Sequence, residues 1–143
     1  MEIPLLKRKK RVKPDTVPSV LIVCDDAETC VSIYNALVEK GYQVHTAVTA
    51  PEAIRMLDVI GLPNAIIGDF VHPETDGKAF IEKARIRFGK SAMPPVLFLR
   101  DSIEDETTAG ALDVHDVLPK PFENEVLIQH VQQLIESRTP AEK

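Results

Sequence analysis

The stretch Pro63-Asn64-Ala65-Ile66-Ile67-Gly68-Asp69-Phe70 decides the fold of this 143-residue chain. It is a short apolar run, bounded by Pro63 before it and His72-Pro73 after it, that ends on one carboxylate. An uninterrupted apolar run of this length reads as a strand buried on both faces, the pattern of a parallel sheet covered by helices. In open α/β sheets, ligands sit outside the carboxyl ends of the strands, which is where Asp69 stands.

Working outward, the same grammar repeats. Ser19-Val20-Leu21-Ile22-Val23-Cys24 is an apolar, β-branched strand terminated by Asp25-Asp26. A helix follows with Cys30, Ile33, Tyr34 and Leu37 at i, i+3, i+4 and i+7 on one apolar stripe, and Gly41 stops it. Tyr42 to Thr46 forms a second, shorter strand. Thr49-Ala50-Pro51-Glu52 is a capping box with Pro in the first turn, opening a helix to about Ile60.

Beyond Asp69 the alternation continues. After Asp76-Gly77 a helix places Phe80, Ile81, Ala84 and Phe88 on one side and ends at Gly89, and Pro95 to Leu99 makes the fourth strand with Arg100 just past its end. Ser102 and Asp105 cap a helix to about Leu112, and Val114 to Leu118 is a short fifth strand. A last helix from about Glu123 to Ser137 turns Leu127, Val131, Leu134 and Ile135 inward. Five strands alternating with five helices predict an α/β, flavodoxin-like three-layer (βα)5 fold with a parallel sheet of order 2-1-3-4-5. Its crevice lies between the ends of the first and third strands, where Asp25 and Asp69 fall.

Composition bounds the rest. Hydrophobic residues at 44% and charged residues at 27% are ordinary for a globular domain, and the length suits one domain. No apolar run reaches ~18 residues and the charged start lacks a signal-peptide core, so the expected location is the cytoplasm, without membrane insertion. In that reducing compartment Cys24 and Cys30, one on a strand end and one on a helix, are expected to stay free thiols. The net charge of −5 conceals an uneven spread: residues 1–18 carry six basic and two acidic residues, and residues 19–143 carry eleven and twenty. Residues 1–18, with three prolines and no periodicity, read as a flexible basic arm before a domain over 19–143. The arm's lysines and arginines admit nucleic acid or an anionic surface as partners, although six charges without aromatic interleaving more commonly make a solvated tail.

Cys24-Asp25-Asp26 after one strand, Asp69 after another, Asp76-Gly77 and Lys120-Pro121-Phe122 together resemble the receiver domain of bacterial two-component response regulators. Spacing agrees, with Asp69 44 residues after Asp25 and Lys120 51 after Asp69, and the resemblance covers 19–137, leaving no output domain within the chain. It implies a non-enzymatic phosphoaspartate switch. Asp69 matches the acceptor of a phosphoryl group from a histidine kinase or phosphotransfer protein. Asp25, Asp69 and the backbone carbonyl of Val71 match the magnesium ligands, and Lys120, followed by a cis Pro121, matches the phosphoryl contact. The chemistry requires such residues, because a carboxylate attacking an anionic phosphoryl group needs cations to absorb charge, and magnesium takes hard oxygen ligands.

Three positions depart from the family pattern. Cys24 stands where the family has the first acid of a pair, and a soft thiol does not replace a carboxylate for magnesium. A register shift making Asp25 and Asp26 the pair is the alternative, but the 16-residue interval from Asp25 to Gly41 favours the unshifted reading. Arg100 stands where a Thr or Ser is expected, either facing solvent or pairing with Asp69, and Val117 replaces the mobile aromatic of the fifth strand. His45, His115 and His130 lie on scattered elements and receive no role.

Two functional readings follow. The first is a single-domain receiver in a phosphorelay, accepting phosphate on Asp69 and signalling through protein contacts. The second is a phosphorylation-independent pseudo-receiver acting as an adaptor through its last two helices. A nucleotide- or flavin-binding enzyme is disfavoured because no strand-to-helix turn carries a glycine-rich phosphate loop. The family resemblance also allows a homodimer, and the sequence names neither the kinase nor the output target.

Overall fold

The computed structural model describes residues 17–70, 76–89, 91–100 and 116–141, with backbone alone for Arg100 and for 137–141. The basic arm up to residue 16, Val71, and the helix expected over 102–112 therefore lie outside the described residues, as does the side chain of Arg100. Among the described residues the elements run β1 (Ser19–Cys24), α1 (Ala27–Glu39), β2 (Gln43–Ala47), α2 (Ala50–Ile60), β3 (Ala65–Asp69), α3 (Lys78–Phe88), β4 (Val96–Arg100), β5 (Asp116–Pro119) and α4 (Asn124–Ala141). All pairings are parallel, and the sheet order is β2-β1-β3-β4-β5, the expected 2-1-3-4-5.

The central strands β1, β3 and β4 read as apolar runs because both faces of the sheet are covered there, and successive side chains alternate between two cores. Val20, Ile22 and Cys24 of β1 join Ala65 and Ile67 of β3 and Leu97 and Leu99 of β4 beneath α1 and α4. Leu21 and Val23, with Ile66, Val96 and Phe98, face α2 and α3. Every residue from Val20 to Cys24 is at most 3% exposed. Each Leu or Ile buried to that extent contributes about 1.5–3 kcal/mol, and β1, like β3 and β4, sends side chains into both cores and so ties the layers together.

Local chemistry sets the element ends. Thr49 Oγ1 accepts from Glu52 N at 3.2 Å, while Glu52 Oε1 reaches back to Val48 N at 2.7 Å, one residue before the cap. The box therefore closes on Val48 rather than on Thr49 itself. Gly41 and Gly89, at φ 98° and 94°, end α1 and α3 in a backbone region that L side chains rarely adopt. The described β2 begins at Gln43, one residue later than the sequence predicts. Tyr42 N still bonds to Leu37 O in the helix exit, and Gln43 N takes up the ladder with Pro18 O. The fifth strand is described over Asp116–Pro119, one residue past the expected end at Leu118, its expected start at 114–115 lying outside the described residues, and the last helix runs to Ala141 rather than Ser137. Tyr34, expected on the inward stripe of α1, is 40% exposed. The buried arc of α1 centres on Ile33, Ala36 and Leu37, which leaves Tyr34 at its margin.

Candidate functional site

β1 and β3 are neighbours, and their register pairs Cys24 with Asp69. Both side chains leave the sheet on the same face, so the carboxylate at the end of β3 meets the thiol at the end of β1. Cys24 Sγ lies 3.5 Å from Asp69 Oδ2 and 3.4 Å from the Asp26 carbonyl oxygen. From the far side of the sheet, the turn after β5 brings in Lys120 beside a cis Lys120-Pro121 peptide bond. Lys120 Nζ donates to Asp69 Oδ1 at 3.0 Å and to Oδ2 at 3.2 Å. Asp69 is 7% exposed and is the buried charged residue among those described, while the Lys120 side chain is 27% exposed. A buried carboxylate is tolerated only with such a partner, because an unpaired charge out of water costs several kcal/mol.

The two adjacent acids separate in role. Asp26 is the N-cap of α1, its carboxylate accepting from Thr29 N at 3.2 Å and from the Thr29 hydroxyl. The Thr29 hydroxyl first, and then the Thr29 amide, hold the Asp26 carboxyl below the usual carboxylate range. Asp25 is exposed and lines a cavity of about 340 Å³ with Asp69, Asp76, Thr49, Phe70 and Lys83. Asp26 is thus taken up by the helix cap, while Asp25 lines the same cavity as Asp69. A second groove, about 500 Å³, lies between Glu28, Ser32 and Ile33 of α1 and Lys120-Pro121-Phe122.

Burial pushes the Cys24 thiol up to about 12, a hydrogen bond with the Asp26 backbone partly opposing this and the Asp69 charge reinforcing it. The group at the family's acid position is thus a neutral thiol, and no thiolate competes for a soft metal. Among the described residues no three His, Cys, Asp or Glu side chains are arranged to hold a metal ion. Asp25 and Asp69 nevertheless open on one cavity and offer the hard oxygen donors that magnesium takes, so the residues present fit that ion. Val71, the third expected ligand, lies outside the described residues. Cys24 and Cys30 are both free thiols, as expected.

Arg100 closes β4 opposite Pro119, one residue past Leu99, which pairs with Asp69. Val117 packs, half-buried, on the α2 and α3 side and registers with Phe98. Two features escaped the sequence reading. One is an aromatic cluster beneath the acceptor: Phe70 packs edge-on to Phe98 at 5.5 Å and against Phe80 at 5.9 Å. Gly68 and Gly77 make room for it, since a Cβ at Gly68 would stand 2.8 Å from Phe70 and one at Gly77 would stand 2.6 Å from Phe98. The other is a hydrogen-bond contact between His130 Nδ1 of α4 and the Asp116 carboxylate of β5. A lone His fourteen residues from an Asp carries no sequence signal of that contact.

The chain matches the family model for the response regulator receiver domain over residues 20–132. It is 32% identical over 123 residues to the transcriptional regulatory protein PrrA of Mycobacterium tuberculosis strain H37Rv, covering 86% of this chain and 52% of that protein. The chain thus spans about half the length of the curated relatives it matches. Among solved structures, a putative response regulator from Chloroflexus aurantiacus superposes with a TM-score of 0.72 at 27% identity, covering 83% of this chain and 98% of that one. The chemotaxis response regulator CheY4 of Vibrio cholerae gives 0.72 at 26%, covering 83% and 99%. No helix among the described residues is long and apolar enough to cross a membrane. The parallel sheet order, the buried acid at the end of β3 and the lysine that clamps it agree with these matches, and this chain belongs to the response regulator receiver domain family of two-component signalling.

Proposed function

We propose that Asp69 accepts a phosphoryl group from a histidine kinase or phosphotransfer protein and that the resulting state is passed on through protein contacts. The observation that carries this reading is the 3.0 Å contact of Lys120 Nζ with a carboxylate that is 7% exposed and shares a cavity with Asp25. An Asp69 oxygen attacks the phosphorus, a new P–O bond forms, and the bond to the donor nitrogen or oxygen breaks. Negative charge builds on the phosphoryl oxygens as this happens. Lys120 stands beside the attacked site and takes up part of that charge. Asp25 and Asp69 would hold magnesium with the Val71 carbonyl, and the ion, when bound, neutralises phosphoryl oxygens. Arg100, whose backbone ends β4 next to the partner of Asp69, stays the candidate for the pocket position of the family's hydroxyl residue.

Relatives named as response regulators and regulatory proteins support the switch over a phosphorylation-independent adaptor. The test is incorporation from a small-molecule phosphodonor with magnesium, read by intact mass. Labelling that disappears in Asp69→Asn is the expected result. An unlabelled protein, in a reaction that labels another receiver domain, would sink the proposal.

A further inference from the structure

The position opposite Asp69 holds a group that donates where the family's acid would repel. Cys24 is 3% exposed, its register partner is Asp69, and its one S–H hydrogen has two acceptors in range, the Asp69 Oδ2 atom and the Asp26 carbonyl. One hydrogen serves one of them at a time. The Asp26 carbonyl already accepts Cys30 N at 2.9 Å as the opening bond of α1, whereas Asp69 is charged and is the stronger acceptor. The two acceptors also differ in what they belong to: one is the phosphoryl acceptor, the other the N-cap residue of the first helix.

We propose that Cys24 is a positioning residue for Asp69: its thiol donates to Oδ2 while the carboxylate is charged, and turns to the Asp26 carbonyl when that charge is lost to esterification. This rests on the reading of Asp69 as the acceptor. In the charged state Lys120 and the thiol together hold both carboxylate oxygens, so the side chain keeps one orientation before a phosphoryl donor arrives. In the esterified state the S–H rotates about the Cβ–Sγ bond, and no covalent bond changes at sulfur. The turn adds a hydrogen bond at the start of α1, giving that helix end a local report of the acceptor's charge.

The thiol itself supplies the readout, since its S–H stretch falls in an infrared window free of other protein bands. A Cys30→Ala chain keeps Cys24 as its one thiol. Its band should move to higher frequency, as a weaker hydrogen bond requires, when Asp69→Asn is added or when beryllofluoride and magnesium occupy the site. A band at the same position in all three states overturns the proposal. The kinetic arm uses phosphoramidate labelling. Cys24→Ser, which keeps a donor, should label within about twofold of the parent, and Cys24→Ala should label roughly three- to fivefold more slowly, the size of one hydrogen bond from a weak S–H donor. Equal rates for the alanine variant and the parent also overturn it. A parent chain that takes no label at all ends the acceptor reading and the positioning role with it, even with a band that shifts. A labelled parent with an unshifted band removes the thiol's part alone.

Discussion

Replacing Lys120 with methionine keeps most of the side-chain volume and removes the cation from a carboxylate that is 7% exposed. Removing one partner of a fully buried ion pair costs about 3–5 kcal/mol, because the remaining charge stays desolvated without compensation. The present pair is wetter than that on one side, since the Lys120 side chain is 27% exposed and Asp69 opens on a cavity. A loss of about 1–2 kcal/mol is therefore expected for Lys120→Met, with the Cys24 thiol left as a weak donor to the stranded carboxylate. Asp69→Asn in the same background removes the stranded charge, so the double variant should recover about 1 kcal/mol relative to additivity. The assay is urea unfolding at neutral pH without divalent metal, read as a double-mutant cycle over four proteins with equal m-values. The cycle separates this pair from the other contacts of Lys120. A coupling below about 0.3 kcal/mol, within the scatter of independent sites, would refute the claim that Lys120 offsets the burial of Asp69.

Gly77→Ala should destabilise the fold by about 1–3 kcal/mol through overpacking against Phe98, despite the better helix propensity of alanine, and Phe98→Leu should restore most of it in unfolding measurements. If Gly77→Ala proves neutral, the aromatic cluster does not depend on that glycine. Thr49→Ala should cost about 1 kcal/mol by removing the acceptor for Glu52 N, and an unchanged thermal midpoint would discount the cap. For Cys24, folding holds the thiol protonated up to about 12 against an ordinary thiol value of 9.0. The unfolded chain therefore releases its proton first, the contribution is whole below pH 9.0, and it is lost as the pH climbs from there toward about 12. Urea midpoints for the parent should thus fall more steeply than those for Cys24→Ser across that alkaline window, and parallel curves would contradict the assignment. Native-state alkylation followed by peptide mass mapping should modify half-buried Cys30 before Cys24, and the reverse order would contradict the burial of Cys24.

The sequence by itself determined the fold class, because a parallel sheet covered on both faces writes itself as apolar runs separated by amphipathic helices. Ser19–Cys24 and Ala65–Asp69 needed no tertiary information to be placed. It also brought Asp25, Asp69 and Lys120 into one hypothesis, since motif spacing survives in the linear chain when the topology is regular. What tertiary structure decided were the choices between neighbours. Spacing to Gly41 favours Asp25 over Asp26 in the linear chain, and the start of α1 supplies the physical difference, giving Asp26 to Thr29 while Asp25 lines the cavity. Likewise Cys24 reads as the loss of an acid until strand register sets its sulfur 3.5 Å from Asp69, where the replacement becomes a donor to the carboxylate. The aromatic cluster of Phe70, Phe80 and Phe98 and the His130–Asp116 pair were equally hidden. Contacts between elements depend on register and helix rotation, and those are fixed by packing in three dimensions rather than by the periodicity of any one segment.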